Sequence, residues 1–222
     1  MKRIVIILLL VLVSCKSSQD NFKEELKTPI SSFEGKIIFS TDITTSEFAS
    51  DSLQKKITDK YGDSLIMYYS KTGDFRRVHL NSSEFGSDSQ LYLAKKGKLY
   101  FTKKNTLEID SLDAQRNSIK KMHSGKIEST KIMGLDCECY EYIAIRKFNN
   151  REIILNYCFS LKSPKLNSDL FSKHNDFYLN EYYEIAKRPY LKFSLQTDKF
   201  KLTYTAIELI EMSIENDMFE LK

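Results

Sequence analysis

The strongest constraint on the fold is a pair of alternating segments, Cys137 to Ile145 and Ile153 to Phe159, joined by a turn near Asn149-Asn150. Side chains of a strand point to opposite faces with period two, so one register decides which residues go inside. With Ile143 opposite Ile154, Tyr140, Tyr142 and Ala144 share a face with Ile153, Leu155 and Tyr157. That face is apolar and is expected to meet the core. The other face sets Glu141 against Asn156 and Cys139 against Cys158. An isolated hairpin is at best marginally stable in water, so the rest of the chain has to extend the sheet.

Further strands are legible on both sides. Phe33 to Ile43 alternates as a half-buried strand. Thr44 and Glu47 have the spacing of a capping box, and Phe48, Leu53 and Ile57 then fall on one side of a short helix that Gly62 closes. Leu65–Tyr69 and Phe75–Leu80 flank a turn at Lys71-Thr72-Gly73-Asp74, and Leu91–Ala94 and Leu99–Thr102 flank Lys96-Gly97. Leu107–Ile109 reads as a brief strand. Ser111 to His123 is expected as a short helix with Leu112, Ile119 and Met122 inward and Gly125 as its stop.

Ser163 to Arg188 breaks the β pattern. Asn167 or Ser168 is placed to cap a helix there, carrying Phe171, Phe177, Tyr178, Tyr182, Tyr183 and Ile185, which Pro189 ends. Leu191–Leu195, Phe200–Ala206 and Leu209–Ile214 give two or three closing strands, with Thr197-Asp198-Lys199 as a turn. About nine strands joined mostly by short turns define an α+β class, a curved antiparallel sheet with two or three helices packed on its concave side.

The N-terminus reads as a processing signal, either a lipoprotein leader or an ordinary secretory signal with a chance cysteine. Lys2 and Arg3 precede an apolar run of ten residues, Ile4 to Val13, too short to span a bilayer comfortably. Leu12-Val13-Ser14-Cys15 resembles the bacterial lipobox. The resemblance implies a signal peptide over 1–14 and lipid on Cys15; a polar tether then runs through 30, and the length that remains suits one domain over 31–222. Acyl chains anchor by burying methylenes at about 0.8 kcal/mol each, and several chains make the attachment firm. The chain would then sit in the cell envelope, at the outer membrane, with the membrane as its lipid-mediated partner. Losing Lys2 and Arg3 lowers the formal charge from +4 to +2, with Lys and Glu spread along the chain. That balance argues against a nucleic-acid partner.

Lys131-Ile132-Met133-Gly134-Leu135-Asp136-Cys137-Glu138-Cys139-Tyr140 resembles the "I-x-G-x-x-C-x-x-Y" strand of small exported proteins with a LolA/LolB-like half-barrel. Asp217-Met218-Phe219-Glu220-Leu221 resembles, one residue shorter between Asp and Phe, the "D-x-x-F-E-[LVI]" ending of that group, and Phe33-Glu34-Gly35-Lys36-Ile37 and Ile154 to Ser160 also fit. The resemblance implies a half-barrel whose helical lid covers a lipid or acyl chain. The insert at Ser163 to Arg188 is larger than that pattern has.

Candidate chemistry is sparse. An exported domain favours disulfides. Cys139–Cys158 is the expected pair, with Cys137–Cys158 as the alternative in a shifted register, and Cys137–Cys139 is geometrically poor. No zinc spacing and no nucleophile, phosphate-loop or metalloprotease motif appears, so no metal, cofactor or catalytic residue is assigned. His79, His123 and His174 stand far apart, His79 on a strand surface and His123 near a helix end. The aromatic residues Phe171, Phe177, Tyr178 and Tyr182 read either as core or as an amphipathic lid. Pocket candidates are Phe39, Tyr140, Tyr142, Leu155, Tyr157 and Phe193. Such a set fits a binding protein for an apolar ligand, an acyl chain or lipid. It also fits a filled core, which would leave a structural or protein-interaction lipoprotein without a small ligand.

Overall fold

The computed structural model describes residues 32–46 and 51–221. Cys15, the signal and tether segments, Glu47 of the expected capping box and Phe48 of the expected helix lie outside those residues.

The described chain forms one antiparallel sheet of eleven strands, open at both edges. The first six are β1 (Gly35–Thr45), β2 (Ser64–Tyr69), β3 (Phe75–Leu80), β4 (Ser87–Leu93), β5 (Lys98–Lys103) and β6 (Ile109–Asp113). Then come β7 (Ile119–Ile132), β8 (Leu135–Arg146), β9 (Glu152–Phe159), β10 (Lys192–Gln196) and β11 (Phe200–Glu211). The spatial order is β6-β5-β4-β3-β2-β1-β11-β10-β9-β8-β7. Two short helices accompany it, α1 (Asp51–Tyr61) between β1 and β2 and α2 (Leu179–Ala186) between β9 and β10.

The sheet is strongly curled. Its ten inter-strand gaps would separate β6 from β7 by about 48 Å if flat. Yet Asp113 and Ile119, on the two opposite edges, are joined by a loop that extends at most about 22 Å. The concave side is the one the β9–β10 insert occupies. From that segment His174 reaches Phe75 and Tyr92 on β3 and β4, Tyr183 reaches Tyr69 on β2, and Tyr178 reaches Tyr142 on β8. A stretch this short touches strands so far apart in the sheet only across a concave surface.

Two corrections to the sequence reading follow. Ser111 to His123 is not a helix: it ends β6 and begins β7. Ile119 is buried, but Met122 is 61% exposed and Gly125 is strand. Leu209 continues β11, and a bulge opposite Ile38/Phe39 leaves Ile207 outside the register. The expected capping box is also displaced: Thr44 is still in β1, and α1 begins at Asp51.

The β8–β9 register pairs Ile143 with Ile154 and sets Cys139 directly opposite Cys158. These two cysteines are disulfide-bonded and buried on the convex side, and Cys137 is a buried free thiol. The bond closes a loop of 19 residues. Replacing both cysteines by alanine is expected to cost about 3 kcal/mol, which urea unfolding would register as a lower midpoint.

Gly62 ends α1 at φ +71°, the left-handed conformation that favours glycine. A Cβ there would lie 1.7 Å from the Leu80 carbonyl oxygen. Gly62→Ala is expected to lose about 1–2 kcal/mol from its φ alone, with the backbone clash adding to that. A thermal melt should show a clear drop in Tm.

Candidate functional site

The insert is mostly core. After Asn167, whose side chain caps a 3-10 turn at Ser168–Phe171, the chain bends again through Asp176–Tyr178 with Phe177 and Tyr178 at positive φ. These bends drop a row of rings onto the concave face. Phe171, Tyr182 and Tyr183 are fully buried, with Tyr182 stacked on Tyr157 at 4.8 Å between centroids. Hydroxyls find partners on the way: Tyr69 and Tyr183 bond each other at 3.1 Å, and Tyr157 donates to the Phe177 carbonyl at 2.9 Å. The far end of the insert is tied to the β6–β7 loop, where Asn175 and Asp176 amides both donate to the Ala114 carbonyl.

The insert does not fill the whole face. A cavity of about 410 Å³ remains between it and α1, within the range of small-ligand sites, roughly 300–1,000 Å³. Leu99 and Phe101 of β5, Phe193 and Leu195 of β10, and Leu202 and Tyr204 of β11 make its floor. His174, Asp176, Phe177 and Leu179 of the insert roof it, and Tyr61, Leu112 and Ser118 lie at its rim. Phe101, Leu112, Phe177 and Leu195 are only half-buried, so this apolar space opens to solvent.

Its one permanent charge comes from β3. Phe75, Arg77 and His79 alternate onto one face, and Phe75 is fully buried, so Arg77 and His79 turn inward with it. The Arg77 guanidinium donates from Nη1 to Gln90 Oε1 at 3.2 Å and lies 5.1 Å from the Phe75 ring centroid. Its Nε is buried without a hydrogen-bond partner, and Arg77 makes no salt bridge among the described residues. Guanidinium does not deprotonate in proteins, so a whole positive charge sits in this apolar hollow.

Two buried histidines flank it. Burial, with the charge of Arg77 adding, holds His79 down at about 4 and His174 down at about 3, so both are neutral near pH 7. Backbone groups of Tyr61 and Asp176 lie near these rings. No ring nitrogen of either histidine makes a well-formed hydrogen bond. Asp176 accepts from Ser118 Oγ at 3.3 Å, and burial pushes its carboxyl up. Among the described residues no cluster of His, Cys, Asp or Glu is placed to hold a metal ion.

Of the sequence candidates, Tyr157, Phe193 and Phe177 line this cavity. Phe39, Leu155, Phe171 and Tyr182 are fully buried in the core instead. Tyr142 is buried against the stacked ring of Tyr178, and Tyr140 is half-buried beside Phe159. His79 is a correction: expected on a strand surface, it is 2% exposed on the concave side. His123, expected at a helix end, is exposed on β7. Arg77, His174, Asp176 and Gln90 had drawn no functional assignment. The signal for Arg77 and His79 was present in the period-two spacing from Phe75. Nothing local marked His174 and Asp176, which reach the site through a bend.

No protein-family model matches the chain, and no curated protein matches it. Among the described residues no helix is long and apolar enough to cross a membrane.

Proposed function

We propose that the chain is a lipid-anchored binding protein of the cell envelope, probed best as a carrier of an acyl chain or similar apolar ligand. The domain would be a half-barrel of the LolA/LolB-like kind, tethered through lipid on Cys15 at the outer membrane. The observation that carries this reading is the open cavity of about 410 Å³ with apolar walls on the concave face. A core that needed only to be stable would close such a space, because unfilled volume costs packing energy. The aromatic insert acts as a fixed roof, since most of its rings are core, and Phe177 is the phenylalanine ring of it that faces the ligand space, beside His174, Asp176 and Leu179.

A protein-interaction role through the sheet edge has one observation behind it, the free outer side of the fourteen-residue β7. That edge carries Lys120, Lys121, Lys126 and Lys131 and two register shifts. Lysines and bulges are the usual means of preventing strand addition, so the cavity reading is preferred.

The test is photocrosslinking of a diazirine-bearing palmitate to the full chain in its own membranes, with the adducts mapped by peptide mass spectrometry. The reading expects adducts on β5, β10 and the insert around Phe101, Leu195 and Phe177. Adducts confined to the N-terminal segment or to the convex side would overturn it.

A further inference from the structure

We infer that the ligand of this cavity ends in a carboxylate, which Arg77 receives at the β3 end of the hollow: an acyl chain with a free acid head and not a neutral lipid. This rests on the cavity reading above and names the chemistry of that site. Three features point to it. Arg77 is a permanent cation lining an apolar cavity, with its Nε buried and unpartnered and only neutral hydrogen-bond partners, Gln90 Oε1 on its Nη1 and the Tyr190 hydroxyl. A cation held in an apolar hollow without a salt-bridge partner is costly, and a planar guanidinium matches a carboxylate in two-point geometry. His79 and His174, 2% and 3% exposed, line the same cavity with ring nitrogens that make no well-formed hydrogen bond. Neutral imidazoles can donate to a carboxylate without adding charge. The remaining walls, Leu99, Phe101, Leu195 and Leu202, suit the hydrocarbon.

Asp176 is the one carboxylate in the lining. It accepts from Ser118 Oγ at 3.3 Å and forms no salt bridge with Arg77, so its hydrogen bond goes to Ser118 and not to the guanidinium; burial raises its carboxyl, while Ser118 and the charge of Arg77 pull it down. One positive charge and one single-chain-sized space favour a monoanion with one chain.

The experiment uses the full chain in non-ionic detergent, with [1-13C]palmitate as the probe and methyl palmitate as its neutral counterpart. In the 13C spectrum, the bound carboxyl is expected to stay ionised at least about one pH unit below the micelle-dissolved pool, because a nearby cation lowers a carboxyl pKa by roughly 1–3 units. In Arg77→Met, the ratio of palmitate to methyl palmitate affinity should fall on the order of ten- to hundredfold, with partition into micelles cancelling between the two proteins. A bound carboxyl that titrates with the micelle pool, or wild type and R77M showing the same acid-to-ester ratio, would overturn the inference while leaving the acyl-chain reading standing. If neither palmitate nor its ester binds the wild-type chain, the acyl-chain reading and this inference both fall. Should R77M not fold, the 13C titration of the wild-type protein decides alone.

Discussion

Tyr182→Ala is expected to remove about 3–5 kcal/mol of folding stability, the largest single-residue effect in the domain. Tyr182 is fully buried at the centre of the aromatic insert. Its ring meets Tyr157 at 4.8 Å, Tyr183 at 5.1 Å, Phe159 at 6.1 Å and Tyr190 at 6.2 Å. Its hydroxyl donates to the Arg188 carbonyl at 3.2 Å. Alanine would leave a ring-sized void and a carbonyl without its partner, and neither neighbouring strands nor a helix anchored at both ends can collapse into the gap. Urea unfolding should show a lower midpoint, and Tm should fall by roughly 2–4 °C for each kcal/mol lost. Phe177, half-buried on the cavity side, is the control: its replacement by alanine should cost much less. Equal losses at the two positions would contradict the division of the insert into core and cavity wall.

Acid is expected to weaken the fold well before ordinary carboxylates titrate. An unfolded histidine protonates near pH 6.5. In the folded protein burial, reinforced by Arg77, holds His79 down at about 4 and His174 down at about 3. Below pH 6.5 the unfolded chain therefore binds protons that the folded chain refuses. The stabilisation is complete above pH 6.5. It is lost at about 1.4 kcal/mol per pH unit for each histidine as pH falls toward the folded values. Between pH 6.5 and 4.5 the pair removes about 4 kcal/mol in total. Asp176 works in the opposite sense, since its folded pKa is raised and the native state takes up its proton first, which offsets part of the loss at the acid end. Urea unfolding at several pH values gives the slope. The double variant His79→Gln, His174→Gln should flatten it, and an unchanged slope in that variant would refute the assignment.

How much was legible in the sequence follows from burial. The β8–β9 hairpin could be set in register from its own residues because both strands are central: every alternate side chain is apolar, and a one-residue slip would expose Tyr142, Leu155 and Tyr157 together. Cys139 opposite Cys158 followed from that register. The edge strands gave no such signal. β6 is exposed along most of its length, and β7 is exposed with its period broken by register shifts at Lys121/His123 and Ile127/Thr130. Leu112, Ile119 and Met122 then matched a helical spacing that tertiary pairing overrode.

The site was harder to read, because it is made by elements distant in sequence. Arg77 and His79 lie on an inward face that Phe75 could have announced. A charged residue on a short strand nonetheless reads as solvent-facing unless something outside the strand covers it. That something is the bend at Asp176–Tyr178, where Phe177 and Tyr178 adopt left-handed backbone and bring His174 and Asp176 over the sheet. No periodicity encodes such a bend.

The most direct test of the account is native mass spectrometry of the full chain purified in detergent from its host envelope, followed by organic extraction of the protein. The account predicts a second mass series beyond that of the chain with the lipid proposed at Cys15, one that dissociates on extraction and is identified as a long-chain acid. A single mass series, with nothing extractable and no uptake of added fatty acid, would contradict it and turn the cavity into an unfilled gap in the core.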